Sequence, residues 1–415
     1  MKALIALLTA AVVGAAQAAD APARPYDAIL EEAQAAFAAE EFARAAARLD
    51  EAQALRPYSL FLTRNRVLAR FLAGDKAGAI DVAMSIAARG LALDLPATEA
   101  FDRLRADPAF APIAAQFDAN RRPAGESLIV EEFADSLLLP EAVIKSGGKL
   151  YIGSVRTGGV FEARDGGLRE IARLSGGVFD LAASADGAAL LAVVNNQLAF
   201  EQTGERPASA AVVALDLPSG AVRSMTEVAE PAALLGDLEA DGAIAYASDS
   251  MTPRIFSLAA GGAPAVLAAD PRFVNLQGLA LDRKKRRLYV ADYLSGLFVI
   301  DLRTKAVTPI ANPSDAHLGG IDGLYLYKGD LIGVQNGTAP QRIVRIDLDK
   351  KGLTARSLSV LQQALPEWNE PTHGFVDGDR FIYIATSNWP AYDDAGKLRE
   401  GALLQPLRLM AVELN

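Results

Sequence analysis

Six polar residues hold matching places in six similar stretches of the chain: Glu141, Asp180, Asp237, Gln277, Asp322 and His373. They follow one another at intervals of 39, 57, 40, 45 and 51 residues. Each opens an apolar run, as in "LPEAVI", "VFDLAA", "GDLEA", "LQGLAL", "IDGLYL" and "THGFVD". The set comprises four carboxylates, one amide and one of only two histidines in the chain. Brought to one place, four carboxylates repel. Either a cation neutralises them or some hold protons. Oxygen ligands suit Ca²⁺, Mg²⁺ or Mn²⁺, and an added imidazole admits Mn²⁺ or Zn²⁺. The alternative is a solvated polar channel mouth that binds nothing.

A second series stands at the ends of the runs that follow: Ser154, Asn195, Asp249, Asp292, Asn336 and Asn388. These residues read either as a substrate rim or as the Asp and Asn that strand ends need for turns. His317, in "SDAHLGG", reads as a surface-loop histidine. Trp368 and Trp389 flank the sixth stretch and read as packing residues.

The elements that must position these groups are strands. From about residue 127 the chain alternates apolar with polar residues, and Gly, Asp and Pro punctuate the runs. One antiparallel sheet per stretch has two faces to cover. Radial stacking of six such sheets covers both and leaves only short edges, which is the β-propeller solution. The fold class expected is therefore mainly β, a six-bladed propeller over 127–415. Its first polar positions ring the axis at one depth. The early run "SLIVEEF" (127–133) is expected to close the ring as the outer strand of blade six.

Residues 19–117 read differently. Ala, Leu, Glu and Arg dominate, with apolar residues three and four apart, so a helical region is expected. "EEFARAAARLDEA" and "GDKAGAIDVAMSI" match at an offset of 34 residues, placing Phe42 opposite Lys76. That period is similar to tetratricopeptide repeats. Residues 118–126 read as a linker. The first 18 residues have a Lys2 start, an apolar run and "AQA", the pattern of a cleavable signal peptide. This predicts a periplasmic or secreted protein. No segment is long enough to span a bilayer. A net charge of −10 argues against nucleic acid as a partner. The absence of Cys removes disulfides and thiol chemistry.

The blades, with "LPEAV", "GLALDRKKRRLYVAD" and "IDGLYLY", resemble the regucalcin/gluconolactonase-like (lactonase) six-bladed propellers. The resemblance implies a divalent metal on the axis, held by Glu141, Gln277 and Asp322. Gln277 stands where that family has Asn, and at the third blade only Asp237 carries over. It also implies hydrolysis of a lactone or related ester, with Asp322, Asp237 or His373 taking a proton from water. The other expectation is a non-catalytic periplasmic binding or scaffold protein, with a protein partner held through the helical region. Asp180, Asn195, Asp249, Asp292 and Asn336 would then, or in the hydrolase, form the rim.

Overall fold

The structure is a computed structural model and describes residues 25–184, 187–201, 207–217, 219–228, 233–259, 262–393 and 395–415. The predicted signal peptide lies outside the described residues. The described residues divide into two compact units, one ending at Arg122 and including Thr338–Pro340, the other of Pro123–Gly337 with Gln341–Asn415.

The first unit is helical. Helices run over Pro25–Ala38, Phe42–Leu55, Leu60–Leu72, Lys76–Ala87, Glu99–Arg105 and Ala111–Asn120. Two of them start at Phe42 and Lys76, the pair matched in the sequence. Small residues on the facing sides are fully buried, among them Ala45, Ala52, Ala79 and Ala83. Without bulky side chains there, neighbouring helices approach closely. Ser59 and Asp75 cap two helices by accepting the N–H of Leu62 and Gly78. The last helix continues to Asn120, into the predicted linker, and the linker that remains is correspondingly shorter. Among the described residues no helix is long and apolar enough to cross a membrane.

The second unit is a six-bladed β-propeller. Six four-stranded antiparallel sheets are present. Their innermost strands are Pro140–Ser146, Gly177–Ala183, Leu235–Asp241, Leu276–Asp282, Leu324–Tyr327 and Gly374–Asp377. Blade six is assembled from both ends of the unit. Its inner three strands are Gly374–Asp377, Arg380–Ile384 and Leu407–Glu413, and Leu128–Phe133 pairs antiparallel with the last of these. An ion pair of 2.6 Å from Arg408 to Glu132 lies on that seam. The early strand thus closes the ring as expected.

Middle strands are buried on both faces, because each sheet is sandwiched between neighbours. Arg287–Asp292 and Gly296–Asp301 are buried almost throughout. Outer strands, such as Val222–Val228, are exposed and carry charges that discourage edge pairing. The core lies between blades. Leu279, Leu288, Val290, Phe298 and Ile300 of blade four pack with Tyr246 and Ile255 of blade three. Near the axis the inner strands approach closely. A Cβ on Gly278 would lie 2.5 Å from the Asp322 carbonyl oxygen and 2.7 Å from Leu324. Only glycine permits that contact between blades four and five.

Candidate functional site

The inner strands of the first four blades are bulged where the polar series begins. Register shifts fall at Pro140/Ala142, Val178/Asp180, Leu235/Leu238 and Leu276/Leu279. A bulge leaves one residue out of the ladder and re-aims its side chain. Glu141, Asp237 and Gln277 are the residues so displaced, and Asp180 follows the displaced Phe179. Local irregularity at the same step of successive blades is what turns these groups to the axis.

Glu141, Asp237 and His373 are buried, at 7%, 4% and 4% exposure. Asp180, Gln277 and Asp322 are partly buried. His373 is the meeting point. Its Nε2 lies 3.0 Å from Asp237 Oδ1 and its Nδ1 lies 3.5 Å from Asp180 Oδ1. Two sets of ligand-type atoms, each within 4.8 Å of one another, include it: Glu141, Asp322 and His373, and Asp180, Asp237 and His373. Five of the six predicted hub residues therefore come together. The sixth, Gln277, donates from Nε2 to Asn275 Oδ1 at 2.6 Å, and its Oε1 faces Gly236 of blade three.

The carboxylates are also structural. Asp180 Oδ2 accepts the N–H of Leu238 at 2.7 Å, and Asp237 Oδ2 accepts that of Leu279 at 2.9 Å. Each ties its own inner strand to the next blade. The Tyr325 hydroxyl does the same by accepting the N–H of Gly374 at 2.8 Å. This leaves Asp237 Oδ1 buried with only the His373 ring before it, and His373 Nδ1 with only Asp180 Oδ1. A buried carboxylate oxygen beside an imidazole is costly unless a cation or a proton occupies the gap. The residues present fit a divalent cation: hard oxygen donors, one imidazole, and O···N separations within reach of a single ion.

Burial first, and neighbouring carboxylates after it, raise the proton affinity of Glu141, Asp237 and Asp322. Burial, with the charge of Asp322 adding to it, pushes the Glu141 carboxyl up to about 8. Burial pushes Asp237 up to about 6 against the pull of His373, and it raises Asp322 also. Burial alone would lower His373, but Asp237, Tyr325 and Asp180 together hold it well above its ordinary value. In the absence of a cation, protons on His373 and Glu141 limit the repulsion.

Several partners at the hub were not singled out for this role by the sequence. The Trp389 indole donates from Nε1 to Glu141 Oε2 at 2.7 Å. Tyr293 donates its hydroxyl to Asn336 Oδ1 at 2.7 Å, and Asn336 Nδ2 donates to Asp322 Oδ2 at 2.6 Å. Glu370 is pushed up to about 7 by burial and by Asp322. Of the expected rim, Asp180 joins the hub through His373 and Asn336 joins it through Asp322; Asn336 is offset from the strand-end series. It stands one residue beyond Gln335, which is the register partner of Arg342 and so the equivalent of Asp249 and Asp292. Aromatic spacing gave no signal for Tyr293 or Trp389, because both lie just past a strand end in loops of unrepeated sequence.

The remaining rim residues spend their polar atoms on backbone. Asn195 donates to the Leu235 carbonyl at 2.7 Å and accepts its N–H at 2.9 Å. Asp249 accepts from the backbone of Leu234, Met251 and Thr252 and from Arg254. Asp292 accepts from the backbone of Val274, Asn275, Leu294 and Ser295. Ser154 donates to the Leu138 carbonyl. Asn388, in the left-handed region at φ 68°, donates to the Gln405 carbonyl at 3.0 Å. These are the bonds of strand ends and turns. His317 is not a surface residue. It is 2% exposed, and its carbonyl accepts from the buried Gln335. Trp368 packs beside Tyr383, donating to its hydroxyl at 3.0 Å.

No protein-family model matches the chain, and no curated protein does. Among solved structures, a chain of the nidogen/laminin complex aligns with a TM-score of 0.43 at 17% identity, covering 62% of this chain and 95% of that one. The hydrazine synthase of Kuenenia stuttgartiensis aligns with a TM-score of 0.35 at 16% identity, covering 46% of this chain and 66% of that one. Likenesses of this size carry no statement about activity, and the six-bladed architecture rests on the strand pairing itself.

Proposed function

We propose that the protein is an exported, metal-dependent hydrolase of a lactone or related ester, working at the propeller hub. The observation that carries this reading is the position of His373, with Asp237 at 3.0 Å and Asp180 at 3.5 Å. The same imidazole groups with Glu141 and Asp322 within 4.8 Å. Glu141, Asp322 and His373 would hold the ion. Gln277, bonded to Asn275, is the further amide that the blade motifs suggest. Ca²⁺, Mn²⁺, Mg²⁺ and Zn²⁺ all accept such donors, and the imidazole favours Mn²⁺ or Zn²⁺. A cation bound there supplies a Lewis acid for a carbonyl oxygen.

The chain's own groups supply the rest. Asp237, whose Oδ1 faces the His373 ring at 3.0 Å and whose carboxyl is pushed up to about 6 by burial, takes a proton from an attacking water. Asp180 faces the Nδ1 side of His373 and orients the ring, the role carboxylates play beside ligating imidazoles. Tyr293 and Asn336 fix Asp322. The lactone or ester class is what the resemblance of "LPEAV" and "IDGLYLY" implies.

The test is turnover of a panel of lactones and aryl esters by the purified protein with each cation in turn. Cation-dependent hydrolysis that disappears in Glu141→Ala and Asp322→Ala supports the reading. Hydrolysis that survives both substitutions places the chemistry elsewhere. A tightly held cation with no turnover favours the non-catalytic binding protein instead.

A further inference from the structure

The hub residues open the inner strands, so the turn that follows each inner strand lies at the opposite end of the propeller. In blade four that turn is "DRKKRR" (282–287). Turns from a third to a fourth strand lie at the same end. Two of these stand beside it: "DLRTK" (301–305) in blade four and "LDKKG" (348–352) in blade five. Contacts join the three. Lys285 Nζ donates to the Lys350 carbonyl at 3.4 Å, Arg287 donates to the Lys351 carbonyl, and the Leu302 N–H donates to the Arg286 carbonyl at 3.0 Å. The sequence alone displays one basic run; stacking of the blades brings three basic turns to one face. Together they carry nine Lys and Arg side chains against three Asp, in a chain whose net charge is −10. The matching first turns of blades one, three and six are "SGGK", "DGA" and "DGD", so the positive charge is local to blades four and five.

We propose that this face docks the protein on an anionic phospholipid surface. The arginines are committed to holding the turns: Arg283 to the Ala240 carbonyl, Arg287 to that of Lys351, Arg286 to Asp241 at 3.4 Å and Arg303 to Asp301 at 3.7 Å. The turn aspartates accept backbone N–H groups, Asp282 from Lys285, Asp301 from Arg303 and Thr304, and Asp349 from Leu353 and Thr354. Lys284, Lys305, Lys350 and Lys351 are left exposed on the turn tips. Ammonium groups on flexible stems are point charges that suit a layer of lipid phosphates, whereas capture of one carboxylate in fixed geometry is the work of free arginine. An acidic peptide adding to a sheet would meet the outer strands, not the turn tips. The acidic remainder of the chain is repelled by such a surface, which selects this one orientation. Docked by this face, the propeller turns its hub end away from the lipid.

The test is co-sedimentation of the full chain with vesicles of phosphatidylcholine alone and of phosphatidylcholine with about one third phosphatidylglycerol. Binding is expected to the second only, and is expected to vanish in about 1 M NaCl, where the screening length falls to about 3 Å. Lys284→Ala combined with Lys350→Ala, checked for native circular dichroism, should bind about thirtyfold more weakly, from roughly fivefold for each lysine near the surface. Arg103→Ala combined with Lys397→Ala removes two exposed cations from other parts of the chain and should bind as wild type. Equal binding to both vesicles, binding to neither, or a Lys284/Lys350 double variant within about twofold of wild type overturns the proposal. A polyglutamate peptide that binds more tightly than the vesicles, through the same lysines, assigns the face to an acidic protein partner and overturns the lipid reading.

Discussion

Asp237 does two jobs with two oxygens. Oδ2 holds the Leu279 N–H of the next blade, and Oδ1 faces His373. Asp237→Asn keeps an oxygen for the strand contact and removes the proton acceptor. It is expected to lower kcat by about 10²–10⁴ with little change in KM, measured by steady-state kinetics on whichever substrate the panel yields. A loss confined to KM would assign Asp237 to binding. Its place was legible in the sequence, as were those of Glu141, Asp180, Asp322 and His373. A repeated strand pattern fixes both the depth and the face of the residue that opens each inner strand. The one-residue offset of Asn336 was not legible as an offset, because it depends on where blade five's second strand leaves the ladder. The reach of Trp389 was hidden for a related reason: it is set by a loop, and loops carry no period.

At the scale of the strand, two substitutions separate architecture from chemistry. Asn195→Ala strips the Leu235 backbone of both a donor and an acceptor at a buried strand end. A loss of about 2–3 kcal/mol in unfolding free energy is expected, with cation affinity unchanged. Were cation affinity to fall with stability unaltered, Asn195 would belong to the site after all. Gly278→Ala forces a methyl group against the Asp322 carbonyl and Leu324. It should cost about 1–3 kcal/mol and also weaken the hub, since it pushes apart the two strands that carry Gln277 and Asp322. Both effects follow from inner-strand contacts visible only once the blades are stacked. The sequence indicated the glycine and the amide, but not which neighbour each would meet.

The whole propeller carries the strain of its buried acids. Glu141 is pushed up to about 8, and Glu239 and Glu370 to about 7, in each case first by burial. An acid whose folded value is raised binds more protons when folded, so its contribution is full below the unfolded value near 4.5 and fades as pH rises through 7 to 8. His373, also raised, acts in the same direction. The cation-free protein should therefore lose Tm between about pH 5 and pH 8. Glu141→Gln should flatten that slope in part, and a saturating cation should remove the share of Glu141 while leaving that of Glu239. A Tm that climbs over the same interval would mean that the hub carboxylates are ionised and satisfied without an ion.

Elemental analysis of the protein, purified without chelators, bears most directly on whether the six inner strands converge on a bound ion. Wild type should carry close to one divalent cation per chain, and Glu141→Ala and Asp322→Ala, checked for native circular dichroism, should carry almost none. A folded wild type free of divalent metal, or variants that retain the full complement, would contradict the account.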